Sequence, residues 1–461
     1  MGKQKSTYFC SECGWSTSKW VGQCRACEAW GTVTEEATNT TATTFKAIAP
    51  RTAATSISQI DVEVSRARPS GVSELDRVLG GGIVPGAVVL LAGEPGVGKS
   101  TLLLDVAAKA AAQATETKTG PVLYISGEES ASQIRLRAER VGALHDHLLL
   151  ATETHLETII GHIQQQSPSL LILDSIQTVF SSEAEGAAGG VTQIRTVTSK
   201  LIATVKERNL PTILVGHVTR EGGIAGPRVL EHLVDVVCQF EGERHARLRL
   251  LRAVKNRYGA TDEVGCFDLT DTGIIGLPDP SGLFLSTASA ETSGTCVTVT
   301  LEGKRPMPTE VQALVATSVA GAPRRTTSGI DQTRVTMMLA VMQARLGVDT
   351  SGTDVYVSTV GGAKTSEPAA DLATALAIMS AAADRPVKPD LVAFGEIGLT
   401  GEIRATVGIQ RRLAEAARLG FKIALVPDTG AETLQPVKGI NIYPVADLSA
   451  AARLGLSSSK K

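Results

Sequence analysis

The chain has 461 residues, a 43% apolar share, a 3% aromatic share and a net charge of −2 from 45 Lys plus Arg against 47 Asp plus Glu. That length predicts two or three domains with cores of Leu, Val, Ile and Ala, and the charge balance excludes a uniformly basic DNA-coating protein while allowing a local basic channel. The first residues, MGKQKSTYFCSECGW, hold no apolar signal core, and there is no unbroken run of about 18 apolar residues. A cytoplasmic protein that does not enter membranes is expected.

Four of the seven cysteines form two pairs, Cys10-x₂-Cys13 and Cys24-x₂-Cys27, separated by ten residues. Two such pairs supply the four thiolates of a closed, structural Zn²⁺ site; a redox CxxC is the rival reading. All three tryptophans, Trp15, Trp20 and Trp30, lie in this module (residues 1–33), where packing a very small core is preferred over stacking on nucleic acid. Residues 34–65, rich in Thr, Ala and Ser, read as a linker. Cys238, Cys266 and Cys296 stand singly in apolar or mixed stretches and read as buried free thiols.

The domain expected over 66–285 is built around GEPGVGKS, Gly93 to Ser100. An apolar strand over 87–92 and a helix over 101–114 give the strand–loop–helix setting that a phosphate-binding loop needs. Gly93, Glu94, Pro95, Gly96, Val97 and Gly98 form the loop whose N–H groups face the phosphates of ATP. Thr101 continues the helix whose positive end adds to that field. Lys99 is expected to reach the β- and γ-phosphates, and the Ser100 hydroxyl to ligate Mg²⁺.

A strand over 122–126 leads into Glu128 and Glu129. Glu128 is placed to orient or deprotonate an attacking water, and Glu129 to favour a helix N-terminus. The apolar run 170–174 ends in Asp174, expected to hold Mg²⁺ through water. Residues 180–192 and 220–227 read as two mobile loops leaving one sheet edge, with a helix over 194–208 and a strand over 212–218 between them. His217 ends that strand as a γ-phosphate sensor or a structural histidine. Residues 247–259 (RLRLLRAVKNRYG) read as a half-exposed strand with a basic face. Lys255 and Arg257 point the same way, toward the phosphate of a neighbouring ATP, toward DNA, or into solvent. Alternating strands and helices predict a mostly parallel α/β sheet with ligands at the strand C-termini.

The paired cysteines, GEPGVGKS, YISGEES, LILDSIQT, GHVTREGGIAGPRVLEH and KNRYG together resemble the bacterial RadA (Sms) family of DNA repair proteins over essentially the whole chain. Tyr258 stands where that signature usually has Phe. The resemblance implies a RecA-like P-loop ATPase core that forms a hexameric ring on single-stranded and branched DNA, nucleoid-associated when bound. It implies a motor for branch migration in homologous recombination, extending heteroduplex begun by a RecA-type recombinase. An ATP-switched factor that loads or remodels recombinase is the alternative. Glu128 matches the family's catalytic glutamate, and Lys255 and Arg257 match cations that reach a neighbour's γ-phosphate.

Residues 286–461 resemble the α+β proteolytic domain of Lon. The serine and lysine of its dyad fall at Ala369 and near Gln410, and neither a methyl group nor an amide can serve. The expectation is an inactive fold retained for ring assembly or DNA contact. Arg324, Arg325, Arg404, Arg411 and Arg412 then face DNA or a solvated surface.

Overall fold

Short runs of Val, Leu and Ile between glycine-rich turns become strands in the computed structural model, which describes residues 7–36, 55–59, 66–217, 227–242, 247–285, 292–318 and 322–458. Met1–Asp61 and Val62–Lys461 are two compact units. In the first, β1 (Thr7–Cys10) pairs antiparallel with β2 (Ser16–Thr17) and with β3 (Val33–Glu36). Its core is Cys10, Cys24 and Val33, flanked by Tyr8, Trp15 and Val21. So little apolar burial cannot hold a fold alone, and cross-linking through the cysteines must supply the rest.

The second unit opens with α1 (Ser73–Leu79), ended by Gly80 in the left-handed region. Strands and helices then alternate as β4 (Val88–Gly93), α2 (Lys99–Thr117), β5 (Val122–Ser126), α3 (Ala131–Arg140), β6 (Leu148–Thr152), α4 (Leu156–Gln166), β7 (Leu170–Asp174), α5 (Val191–Glu207), β8 (Thr212–His217) and α6 (Pro227–Glu231). Four further strands follow, β9 (Val236–Glu241), β10 (Leu248–Asn256), β11 (Val264–Thr270) and β12 (Gly273–Gly276), and then the short α7 (Ser281–Phe284). They form one sheet in the order β12-β11-β10-β9-β4-β8-β7-β5-β6. From β9 to β6 all neighbours are parallel, and β10, β11 and β12 add an antiparallel edge.

The parallel strands are buried on both faces, which is why their sequences are continuously apolar. Val89, Leu91, Tyr124 and Ile172 meet Leu102, Val106 and Ala107 of α2 on one face. Leu90, Leu123, Ile125 and Leu173 meet α4 and α5 through Ile159, Ile163, Ile194 and Leu201 on the other.

The C-terminal lobe contains β13 (Thr295–Glu302), β14 (Arg305–Thr317), β15 (Arg325–Ser328), α8 (Gln332–Leu346), β16 (Thr353–Thr359) and α9 (Asp371–Ala383). It continues with β17 (Leu391–Ala393), β18 (Glu396–Ile397), β19 (Ile403–Arg404), α10 (Ile409–Arg418), β20 (Ile423–Pro427), β21 (Asn441–Val445) and α11 (Leu448–Gly455). Its mixed sheet runs β15-β16-β14-β13-β17-β20-β21, and β18 pairs with β19 separately. Helix α9, apolar around its circumference, is central: α8, α9 and α11 share one core, and α10 packs a second core on the other face.

A buried ion pair joins the two lobes. Glu74 of α1 is wholly buried, accepts a bond from the Cys266 N–H at 2.9 Å and pairs with Arg305 of β14. The Arg305 guanidinium also donates to the carbonyls of Val264, Leu277 and Pro278.

Two expectations need correction here. The 247–259 stretch is a strand, but its cations do not share a face: Arg249 is buried and donates to the Val97 carbonyl, whereas Arg252 pairs with Glu241 and Glu302. The loop after β7 is shorter and better organised than expected, because α5 already begins at Val191. Its buried Gln193 accepts from the Ser181 N–H and donates to the carbonyls of Ser181, Ala184 and Gly186. Residues 218–226, most of the second predicted loop, lie outside the described residues.

Candidate active site and metal centre

The phosphate-binding loop sits between the end of β4 and the start of α2. Gly96 and Gly98 have φ of 79° and 108°, a region that favours glycine. A Cβ on Gly98 would also lie 2.5 Å from Ile274. Gly98 caps α2 without a side-chain acceptor, so the helix presents its first N–H groups to an anion. Lys99 is buried and lies back over its own loop, donating to the carbonyls of Gly93 (2.8 Å) and Glu94 (3.0 Å). Burial lowers its pKa, opposed by the charges of Asp174 and Glu128. Ser100 and Thr101 follow it, half-buried, in the first turn of α2.

Around Lys99 the C-terminal ends of three strands converge. Glu128, just past β5, accepts a hydrogen bond from the Ser175 hydroxyl at 2.5 Å and lies 3.1 Å from Nε2 of His217. Nδ1 of His217 lies 3.4 Å from the Lys99 ammonium. Because the ammonium can only donate, Nδ1 accepts and Nε2 carries the proton given to Glu128. Hydrogen bonding to His217, then to Ser175, holds the Glu128 pKa down at about 2.

Gly127 has no room for a side chain, since a Cβ would fall 2.0 Å from the Thr178 hydroxyl. Asp174 is buried at the end of β7 and accepts from the Tyr124 hydroxyl at 2.8 Å. Glu129 turns away to Arg137 of α3 at 2.6 Å. A lysine over glycine-bound N–H groups, with a buried carboxylate beside it, suits a magnesium-bound nucleoside triphosphate.

Lys255 and Arg257 lie elsewhere. Lys255 is the penultimate residue of β10 and Arg257 directly follows that strand; because β10 runs antiparallel to β9, both stand at the end of the strands opposite the phosphate-binding loop. Lys255 donates to the carbonyls of Glu231 (2.6 Å) and Val234 (2.8 Å), and burial together with Arg257 lowers its pKa. Arg257 pairs with Asp235 at 3.0 Å. Asp235, itself buried, also binds Lys206 and accepts from the N–H of Val88, the first residue of β4. The six residues of β4 separate that corner from the phosphate-binding loop by roughly 15–20 Å.

In the first unit the sulfurs of Cys10, Cys13, Cys24 and Cys27 all lie within 4.8 Å of one another. The pairs Cys10–Cys27 and Cys13–Cys24 are 3.7 and 3.6 Å apart. Tetrahedral bonds of about 2.3 Å to zinc place sulfurs about 3.8 Å apart, so the cluster fits a Zn²⁺ ion. The tryptophans do not all pack this core: Trp15 does, but Trp20 and Trp30 are 65% and 75% exposed.

Comparison with known proteins places the chain in a family. Residues 8–35 match the family described as "Rubredoxin metal binding domain", residues 54–223 "AAA domain", and residues 297–430 "Subunit ChlI of Mg-chelatase". The chain is 52% identical to the DNA repair protein RadA of Mycobacterium tuberculosis over 93% of its own length and 89% of the relative's. Against the RadA of Bacillus subtilis the identity is 42% over 99% and 100%, and against that of Pseudomonas aeruginosa 45% over 98% and 99%. The chain belongs to the RadA family.

As a RadA-family chain it is an ATP-hydrolysing enzyme with a P-loop core, a four-cysteine zinc ribbon and a Lon-like C-terminal domain. No helix among the described residues is long and apolar enough to cross a membrane. In the Lon-like domain Ala369 is wholly buried just before α9, and Gln410 exchanges two hydrogen bonds with Gln435.

Of the arginines expected on its surface, Arg412 is wholly buried, bound to Glu367 and to the carbonyls of Val299 and Val407. Arg325 is tied to the carbonyls of Thr350 and Thr353, Arg404 pairs with Glu402, and Arg324 and Arg411 are exposed. Sequence reasoning missed Ser175, Tyr124 and Asp235. Each is a lone polar group in or beside an apolar run, which is the available signal.

Proposed function

We propose that this RadA-family chain is a DNA-dependent ATPase whose subunits assemble as a ring around single-stranded or branched DNA and drive branch migration in homologous recombination. The observation that carries this reading is the division of charge between the two ends of the strands of one sheet. Lys99, Glu128, Asp174 and His217 gather at the C-terminal ends of the parallel strands, and Lys255 and Arg257 stand roughly 15–20 Å away at the other end. That cation pair is out of reach of its own subunit's phosphate-binding loop. In a head-to-tail ring, each subunit offers it to the loop of the next.

Bound Mg–ATP supplies the phosphoanhydride to be cleaved and the cation that neutralises its charge. The chain does the rest. Backbone N–H groups at Gly96 to Ser100 bind the phosphates, and Lys99 leaves the carbonyls of Gly93 and Glu94 to join them. Because the Lys99 ammonium holds Nδ1 of His217, its departure frees that ring to turn. Losing the His217 bond raises the basicity of Glu128, whose pKa of about 2 suits a resting state better than a base.

The Lon-like domain serves assembly or DNA contact rather than proteolysis, given alanine at the serine position. The chain works in the cytoplasm, on the nucleoid when bound, and extends joints begun by a RecA-type recombinase.

Extension of a labelled three-stranded recombination intermediate tests the reading. Wild type with ATP should move the branch without recombinase, while Lys99→Ala and Arg257→Ala should not. Movement only with recombinase, surviving Lys99→Ala, would instead mark an accessory switch.

A further inference from the structure

Strand β5 is aliphatic apart from Tyr124 and the terminal Ser126. Tyr124 is one of the largest wholly buried side chains, and a buried phenol needs a hydrogen-bond partner. The register fixes which partner: β5 and β7 run parallel with Tyr124 opposite Ile172 and Ser126 opposite Asp174. A side chain as long as tyrosine spans that two-residue diagonal on the α2 face, and its hydroxyl donates to Oδ2 of Asp174 at 2.8 Å. Phenylalanine would fill the same space and leave the carboxylate to turn toward Lys99, which already feels its charge. Behind this pair, Arg137 is anchored by Glu129.

We infer that Tyr124 is a positioning residue that fixes the Asp174 carboxylate for the magnesium ion carried by the nucleotide. The inference rests on the reading that Asp174 faces that ion. One oxygen is held by the phenol, which sets the direction of the other, so the metal meets an oriented acceptor rather than a rotating one. Outer partners of this kind govern metal affinity without touching the metal.

The test is Mn²⁺ binding, followed by electron paramagnetic resonance, in the presence of a non-hydrolysable ATP analogue. Tyr124→Phe should weaken Mn²⁺ binding about tenfold. It should also raise the Mg²⁺ needed for half-maximal ATP turnover, with kcat at saturating Mg²⁺ and the thermal midpoint close to wild type. Unchanged Mn²⁺ affinity in Tyr124→Phe, alongside weakened binding in Asp174→Asn, overturns the inference alone. Unchanged affinity in Asp174→Asn overturns the reading beneath it.

A second measurement needs no substitution at this position. In protein labelled with 3-fluorotyrosine, the buried Tyr124 fluorine signal should move when Mg²⁺ joins the bound analogue. A signal indifferent to the metal overturns the inference even where Tyr124→Phe fails to fold.

Discussion

Glu128 is held by two donors before any water is in place, and that sets what its substitutions should do. Glu128→Gln keeps the shape and loses the charge. ATP turnover should fall about 10²–10⁴-fold while affinity for a fluorescent ATP analogue stays near wild type. The depressed pKa also ties Glu128 to acid stability. Its contribution is full above the ordinary value of 4.5 and is lost as pH falls through about 2. Ser175→Ala and His217→Ala should each move that loss to higher pH, as carbon-13 titration of the carboxyl group would record. A carboxyl still titrating near 2 in both variants would contradict the hydrogen-bond account. Lys99 and Asp174 were legible in the sequence because a fixed spacing and a strand-ending acid place them within one element. Ser175 and Tyr124 were not, because their partners depend on the register between β5 and β7.

At the scale of elements, β10 shows where pattern reading fails. Arg249 and Arg252 are three residues apart and so fall on opposite faces, and an irregularity between Ala253 and Lys255 shifts the pairing with β9. Alternation alone cannot locate such a bulge, nor reveal that Asp235 gathers Lys206 and Arg257. The loop after β7 was legible from its small residues, but its anchor was not, since Gln193 falls between the loop expected over 180–192 and the helix expected over 194–208, and its partners depend on how the loop folds back. Gln193→Ala should leave ATP turnover without DNA unchanged and reduce its stimulation by single-stranded DNA; equal stimulation would remove this loop from the DNA path. At the lobe junction, Arg305→Ala removes the buried cation from the Glu74 carboxylate and leaves it to Arg77, at 3.3 Å on the exposed side, and to the Cys266 N–H. Denaturant unfolding should show a loss of about 3–5 kcal/mol, and a change below about 1 kcal/mol would mean the pair is dispensable.

For the whole molecule, the division into ribbon, P-loop core and Lon-like domain was carried by motifs that survive without knowledge of packing: paired cysteines, the glycine loop and the replaced dyad. The exposure of Trp20 and Trp30 was not, because a three-stranded ribbon offers no second layer to cover them. Since the ribbon is a separate compact unit, zinc chelation should unfold it and spare ATP binding. Loss of the ribbon's circular-dichroism signal with unchanged nucleotide affinity is the expected pair of results; an intact ribbon after metal loss would contradict it.

The shared site is the central claim, and mixing two inactive proteins tests it most directly. Lys99→Ala lacks the phosphate-binding lysine, and Lys255→Ala lacks one cation of the distant corner. In a randomly mixed head-to-tail ring, about a quarter of the junctions pair an intact loop with an intact corner. DNA-dependent ATP turnover should therefore return on mixing, to at most about a quarter of wild type at equal proportions. No recovery at any ratio, with both variants shown to assemble together, would contradict a site built from two subunits.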